Sequence, residues 1–288
     1  MFETDVWLRH APELHAYFYF GVLIGIALLE WVVPRSIAGE TLGQRWTANF
    51  GVTIINGVVV RLLFPAGPLA VALLSADREW GFFNRIEAPA WLAFVVAILA
   101  LDLSAYAQHY VLHRIPVLWR IHRVHHTDQE YDFSTGARFH PLETFYSTSI
   151  LSIVILVLGA PPLAVLVSQL LTIAFNFIEH ANVRIPRRLD AVLRLVFVTP
   201  DVHRIHHSQN AREGQSNFAN TFSWWDRIFR TYLAQPEAGH DSIRFGVPGF
   251  LERKHLSLQW MLVQPFLRDG GTDTGSRVPR ELPRAELR

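Results

Sequence analysis

The chain has 288 residues, 50% of them hydrophobic, and a mean hydropathy of +0.20, too apolar for an ordinary soluble domain. Its formal charge is +1, which gives no basic surface for nucleic acid, and it has no Cys, which excludes thiolate ligands and disulfides alike.

Four apolar runs follow in chain order. The first, 14–33, comes after Glu3, Asp5, Arg9 and Glu13 rather than a basic leader, and is expected to be a retained anchor. The second, 47–74, breaks at Pro65-Ala66-Gly67-Pro68. The third runs from Pro89 to about His113. The fourth, 145–177, is interrupted at Gly159-Ala160-Pro161-Pro162 and is long enough for two short helices that enter and return, or for two thin spans. A bilayer core of about 30 Å needs roughly 20 helical residues. The expectation is an all-α integral membrane protein with about four membrane segments and a cytoplasmic, His-rich helical cap.

Ten of the fourteen histidines fall between positions 109 and 207. Nine of them form boxes: His109-x3-His113, His122-x2-His125-His126, a lone His180, and His203-x2-His206-His207. Offsets of three and four put side chains on one helix face, so each box can aim two or three imidazoles at one point. Imidazole is a ligand for iron, copper, nickel and zinc. Nine exceed what one ion holds, which points to two ions. His10, His15, His240 and His255 stand alone and read as surface or hydrogen-bonded core residues.

The third run carries Asp102, Tyr106, His109 and His113 as one stripe, with the histidines where the apolar run ends. A carboxylate within a span needs a partner: Asp102 is expected either to accept from a ligand imidazole or to pair with Arg61. Pro116 stops that helix, and a new one presents His122, His125 and His126. Thr199 is the predicted N-cap of the last box, with Pro200 in the first turn and Asp201 favoured there by the helix dipole; Asp201 is also a candidate to bind the metal or orient a ligand. Asn176 lies one turn before His180 and could hold a metal-bound water or act as a weak ligand. His140 is a candidate tenth ligand, and Glu143 and Glu179 are candidates to orient ligand imidazoles. Arg35 and Arg45 after the first run, and nine arginines from Arg114 to Arg204 among the boxes, put the His-rich face in the cytoplasm and the N-terminus outside.

From about Leu101 to Tyr232 the chain resembles the fatty acid hydroxylase superfamily of membrane oxygenases, which includes sterol desaturases, carotenoid hydroxylases and alkylglycerol monooxygenase. The resemblance rests on the boxes, on Phe139-His140-Pro141-Leu142-Glu143, on His180-Ala181-Asn182, on Asn217-Phe218 and on Trp225-Asp226-Arg227. It implies a non-haem diiron centre of two Fe ions that uses O2 and external electrons to hydroxylate or desaturate a lipid. The lipid would be sterol-like, fatty-acyl or carotenoid, or an ether lipid as in alkylglycerol-type members. The nine boxed histidines would be the metal ligands. The donor would be ferredoxin, cytochrome b5 or a reduced pterin, since no flavin, NAD or haem motif is recognisable. The Phe-His-Pro-Leu-Glu run is similar to bacterial members, which implies a bacterial inner membrane. On this division, 1–88 are anchor helices, 89–235 the catalytic domain, and 236–288 a C-terminal cytoplasmic or interfacial segment whose tail after about Arg268 is expected to be disordered. The boxes alone leave a membrane zinc hydrolase or a metal-binding protein open, although a His-Glu-x-x-His motif is absent.

Overall fold

Peptide groups in apolar runs have no water to bond, so they close their hydrogen bonds within helices. The computed structural model describes residues 2–267 apart from 38 and 66, and the expected tail after about Arg268 lies outside the described residues. In chain order the helices are α1 (Phe2–Arg9), α2 (Ala11–Val32), α3 (Leu42–Leu63), α4 (Gly67–Asp77), α5 (Ala90–Arg114), α6 (Pro116–His126), α7 (Pro141–Leu158), α8 (Pro162–Glu179), α9 (Arg187–Leu193), α10 (Pro200–His206), α11 (Trp224–Ile228) and α12 (Leu258–Val263). Among the described residues, extended pairing is limited to isolated bridges such as Pro34 with Val183.

Among the described residues, five stretches are long and apolar enough to cross a membrane: Ala11–Val32, Leu42–Asn84, Ala90–Arg114, Pro141–Leu158 and Pro162–Glu179. The fourth apolar run thus resolves into two helices. They meet at Gly159 (φ +61°), which lies so close to Gly81 (φ +89°) that a Cβ on Gly81 would fall 2.1 Å from Gly159 N. The second run starts in the cap. Thr53 Oγ1 donates to Ala137 O (2.8 Å) and Asn56 Nδ2 to Phe139 O (2.9 Å), while Phe64 reaches Phe145 (5.6 Å). After the bend, α4 continues the path alongside α7 and α8. Small residues let these helices approach: Ala72, Ala97, Ala160 and Ala164 are buried with Leu101, Ile155 and Val165.

The cap end is held by buried charge. Arg45, fully buried on α3, pairs with Asp128, Asp132 (2.7 Å) and Glu130 (3.2 Å). Asn49 Nδ2 donates to Asp128 (3.1 Å) and Ser134 (3.0 Å), and its Oδ1 accepts from Arg138 Nη1 (3.0 Å). Arg138 Nε in turn donates to Val124 O on α6 (2.8 Å). The chain from 258 to 267 completes this layer: Met261 packs with Ala48, Val52 and Val124, and Arg123 donates to the carbonyls of Gln264 (2.6 Å) and Leu267 (2.7 Å). These bonds fix the position of α6, the central supplier of imidazoles.

Removing one partner of a buried ion pair strands the other charge and costs about 3–5 kcal/mol. Asp128→Asn is expected to destabilise toward the low end of that range, because Arg45 keeps Asp132. Burial pushes the Asp128 carboxyl up, but the Arg45 guanidinium and its hydrogen bonds outweigh this and hold it at about 2. Its folded value therefore lies below the unfolded one near 3.9, at about the Asp reference. The stabilisation is full above that value and is lost as pH falls through about 2. Thermal unfolding in detergent should show a clear deficit for the variant at pH 7 that shrinks toward pH 2. Equal melting at pH 7 would contradict this role.

Candidate metal centre

The nine boxed imidazoles meet at the cap end of α5 and α8, in two groups. His109, His113, His122, His126 and His206 form one, and His125, His180, His203 and His207 the other; within each, the ligand atoms lie within 4.8 Å of one another. The boxes do not map one to one onto the groups. Helix α6 sends its i,i+4 pair His122 and His126 to the first group and His125 to the second. The last box does the reverse, sending His203 and His207 to the second group and His206 to the first. The two groups touch where His126 stacks on His207, with centroids 4.4 Å apart and planes at 19°.

Four rings have their Nδ1 tied to an acceptor. His109 Nδ1 donates to Phe218 O (2.8 Å), His206 Nδ1 to Ser216 O (2.7 Å), His180 Nδ1 to Asn176 O (2.7 Å) and His122 Nδ1 to Glu143 Oε1 (2.7 Å). A neutral ring that donates through Nδ1 carries its lone pair on Nε2. These lone pairs converge. His122 and His126 face each other through Nε2 at 3.2 Å, and His180 Nε2 lies 3.1 Å from His125, 3.2 Å from His207 and 3.2 Å from His203. One acceptor cannot satisfy three such contacts by hydrogen bonding. The buried Nε2 atoms of His109, His113 and His206 have no hydrogen-bond partner at all. Buried nitrogens left in this state are matched by a cation, so the donor set fits metal ions.

Electrostatics agree. Burial, followed by neighbouring imidazoles, holds His125, His126, His203 and His207 well below the usual histidine range. Burial also lowers His180 to about 4 and His206 to about 3. The rings are neutral, the form that ligates. Aromatic rings close the site: Phe139 stacks on His125 (4.5 Å, 13°), Trp119 lies against His113 (4.9 Å) and His126 (5.4 Å), and Phe218 backs His113 (5.2 Å) and His206 (5.3 Å).

The other candidates divide. Glu143 lies beside the first group and accepts from His122 Nδ1 (2.7 Å). Glu179 is buried 3.8 Å from the Nδ1 atoms of both His180 and His203. Asp102 touches neither a histidine nor Arg61. It accepts from the Trp225 indole (2.8 Å) and Phe222 N (3.3 Å), while Arg61 bonds its own helix end at Pro65 O (3.3 Å). His140 is no tenth ligand: its Nδ1 caps α7 by accepting from Leu142 N (3.1 Å) and its Nε2 donates to Leu262 O (3.2 Å). The Asn176 side chain turns away, donating to Gly136 O, and only its carbonyl serves His180. Asp201 pairs with Arg35 instead. Thr199 starts α10, but its hydroxyl bonds Asp190 (2.6 Å) rather than capping. Of the lone histidines, His255 is buried between Phe250 (5.4 Å) and Trp260 (5.0 Å).

A family model described as fatty acid hydroxylase matches residues 94–231, a stretch that holds all nine boxed histidines. The chain belongs to the fatty acid hydroxylase superfamily. It is 26% identical over 289 residues to an ornithine lipid hydroxylase of Rhizobium tropici, a match covering 97% of this chain and 85% of that protein. It is 29% identical over 216 residues to alkylglycerol monooxygenase of Homo sapiens, covering 74% of this chain but only 47% of that protein. It is 24% identical over 202 residues to cholesterol 25-hydroxylase of Mus musculus, covering 69% of this chain and 60% of that protein. No solved structure matches the chain. As a member of this superfamily it is an oxidoreductase of lipids, and the hydrolase alternative is not favoured.

The sequence reading missed the acceptors of His109 and His206, the carbonyls of Phe218 and Ser216. Asn217-Phe218 was among the matched residues, but a backbone acceptor leaves no mark on residue type.

His206→Ala and His180→Ala each remove one imidazole from a different group. Each is expected to lower metal content from two ions per chain toward one while leaving the protein folded in the membrane. His255→Ala should keep both ions and melt earlier, since it opens a core cavity. Metal analysis of the three purified variants checks this. Full metal content in both site variants would contradict the assignment.

Proposed function

We propose that the protein is a multi-pass membrane lipid hydroxylase in which the five-imidazole and four-imidazole groups each hold one iron ion. The observation that supports this most directly is the convergence of nine imidazoles, with no thiolate, in two buried groups that touch. A structural zinc takes four ligands, so five imidazoles in one group favour an ion with higher coordination. Bound there, two irons would relay the donor's electrons to O2 and supply the O2 activation that attacks an unactivated C–H bond.

The chain's own residues do the rest. The Nδ1 acceptors, Glu143 among them, hold the His109, His122, His180 and His206 rings in the ligating tautomer. Phe139, Trp119 and Phe218 keep bulk water from the imidazoles. The apolar helices let a lipid arrive from the bilayer beside the cap. Insertion of one oxygen atom, RH + O2 + 2 e⁻ + 2 H⁺ → ROH + H2O, needs two electrons per turnover. A reduced partner such as ferredoxin, cytochrome b5 or a reduced pterin would supply them. The arginines around the boxes support a cytoplasmic cap in a bacterial inner membrane. The near full-length match to an ornithine lipid hydroxylase makes an amino-acid-containing membrane lipid the first substrate to test.

Protein in detergent, given ornithine lipid and O2 alone, should form no product. Adding a reductase with ferredoxin or cytochrome b5 should start hydroxylation, with ¹⁸O from ¹⁸O2 in the product. Turnover without O2, with oxygen drawn from water, would contradict this function. Orientation is checked separately, since the chain has no Cys. Arg78→Cys should react with an impermeant thiol reagent in intact cells and Ala211→Cys should not; the opposite pattern reverses the topology.

A further inference from the structure

Two imidazoles of the first group lean on one stretch of backbone, through the carbonyls of Ser216 and Phe218. Asn217, between them, has φ +56°, a left-handed conformation that is uncommon outside glycine. Its amide is fully used. Nδ2 donates to Val202 O (2.9 Å) and Leu233 O (2.9 Å), Oδ1 accepts from Leu233 N (2.8 Å), and its backbone N–H donates to Thr231 O (2.9 Å).

Below the loop lies Asp226, with no exposed surface. Its carboxylate accepts from Phe218 N (2.8 Å), Ala219 N (3.0 Å) and the Thr231 hydroxyl (2.7 Å). The Tyr106 hydroxyl can then donate to Thr231 Oγ1 (2.9 Å). The Ala219 N–H and the Phe218 carbonyl belong to the same peptide group. A carboxylate on that N–H polarises the peptide and makes its carbonyl a stronger acceptor for His109 Nδ1–H. Asp226 thus stands to His109 as Glu143 stands to His122, but with one peptide group between.

We infer that Asp226 and Asn217 form a clamp that fixes the tautomer and aim of His109 and His206, and through them the metal affinity of the five-imidazole group alone. They are positioning residues, and the inference rests on the two groups being metal sites. The four-imidazole group draws no Nδ1 acceptor from this loop; His180 uses Asn176 O on α8. Asn217 also bonds Val202 on α10, which carries ligands of both groups, so Asp226 is the cleaner probe.

The test is cobalt(II) titration of the chelator-stripped full chain in detergent, followed by visible absorption. The unaltered chain should take two cobalt ions in two spectral components. His109→Ala should weaken one component and His180→Ala the other, which assigns them. Asp226→Asn puts an amide N–H against a backbone N–H. It should weaken the His109 component about 10- to 100-fold, the range for residues that orient metal ligands, and leave the His180 component unchanged. Thr231→Val, which removes one of the three donors to Asp226 together with the acceptor of Tyr106, should shift the same component by less, and it carries the test if Asp226→Asn does not fold. Unchanged affinity for both ions in both variants, or equal weakening of both components, would overturn the clamp. Fewer than two cobalt ions in the unaltered chain would instead overturn the reading of the groups as metal sites.

Discussion

Nine imidazoles converge in a space closed by aromatic rings. Without positive charge there, this is an unstable arrangement, because aligned lone pairs repel and buried nitrogens go unsatisfied. The rest of the cap can be understood as what holds the rings in place against that tendency. Nδ1 atoms are tied down by carbonyls and by Glu143. Helix α6 is pinned by Arg138 and Arg123. Arg45 gathers the carboxylates of Asp128 and Asp132 so that the segment behind the site keeps its shape. Buried arginines and carboxylates are costly to desolvate, and here their return is rigidity around a donor set that must not relax.

The division into five and four follows from helix geometry. Successive residues on a helix are turned by about 100°, so His125 and His126 cannot aim at one point, whereas His122 and His126 can. The last box repeats the logic with the groups exchanged. Each His-x2-His-His box therefore bridges both groups, which places the two groups beside each other rather than at the ends of separate helices.

Much of this was legible in the sequence. The boxes were readable because a spacing of three or four is itself a statement about direction. The helical membrane class followed from the apolar runs, and Glu143 and Glu179 stood out only as two carboxylates near the boxes. What stayed hidden depended on contacts between distant segments. Asp102 finds its partners some 120 positions away in an indole and a peptide N–H, where the sequence offered only Arg61 or a histidine. His140 is spent on a helix cap, which the Pro at the next position could have signalled. The carbonyls that serve His109, His180 and His206 are invisible to any reading of side chains. The bend between α3 and α4 was marked by its prolines and glycine, but not that α3 starts deep in the cap.

The central claim is that two ions sit in these two groups of imidazoles. Anomalous scattering at the iron absorption edge, from crystals of protein grown with iron and without added zinc, tests it most directly. The account predicts two peaks. One should be ringed by the Nε2 atoms of His109, His113, His122, His126 and His206, the other by His125, His180, His203 and His207. A single peak, or iron bound elsewhere while these imidazoles stay unligated, would contradict it.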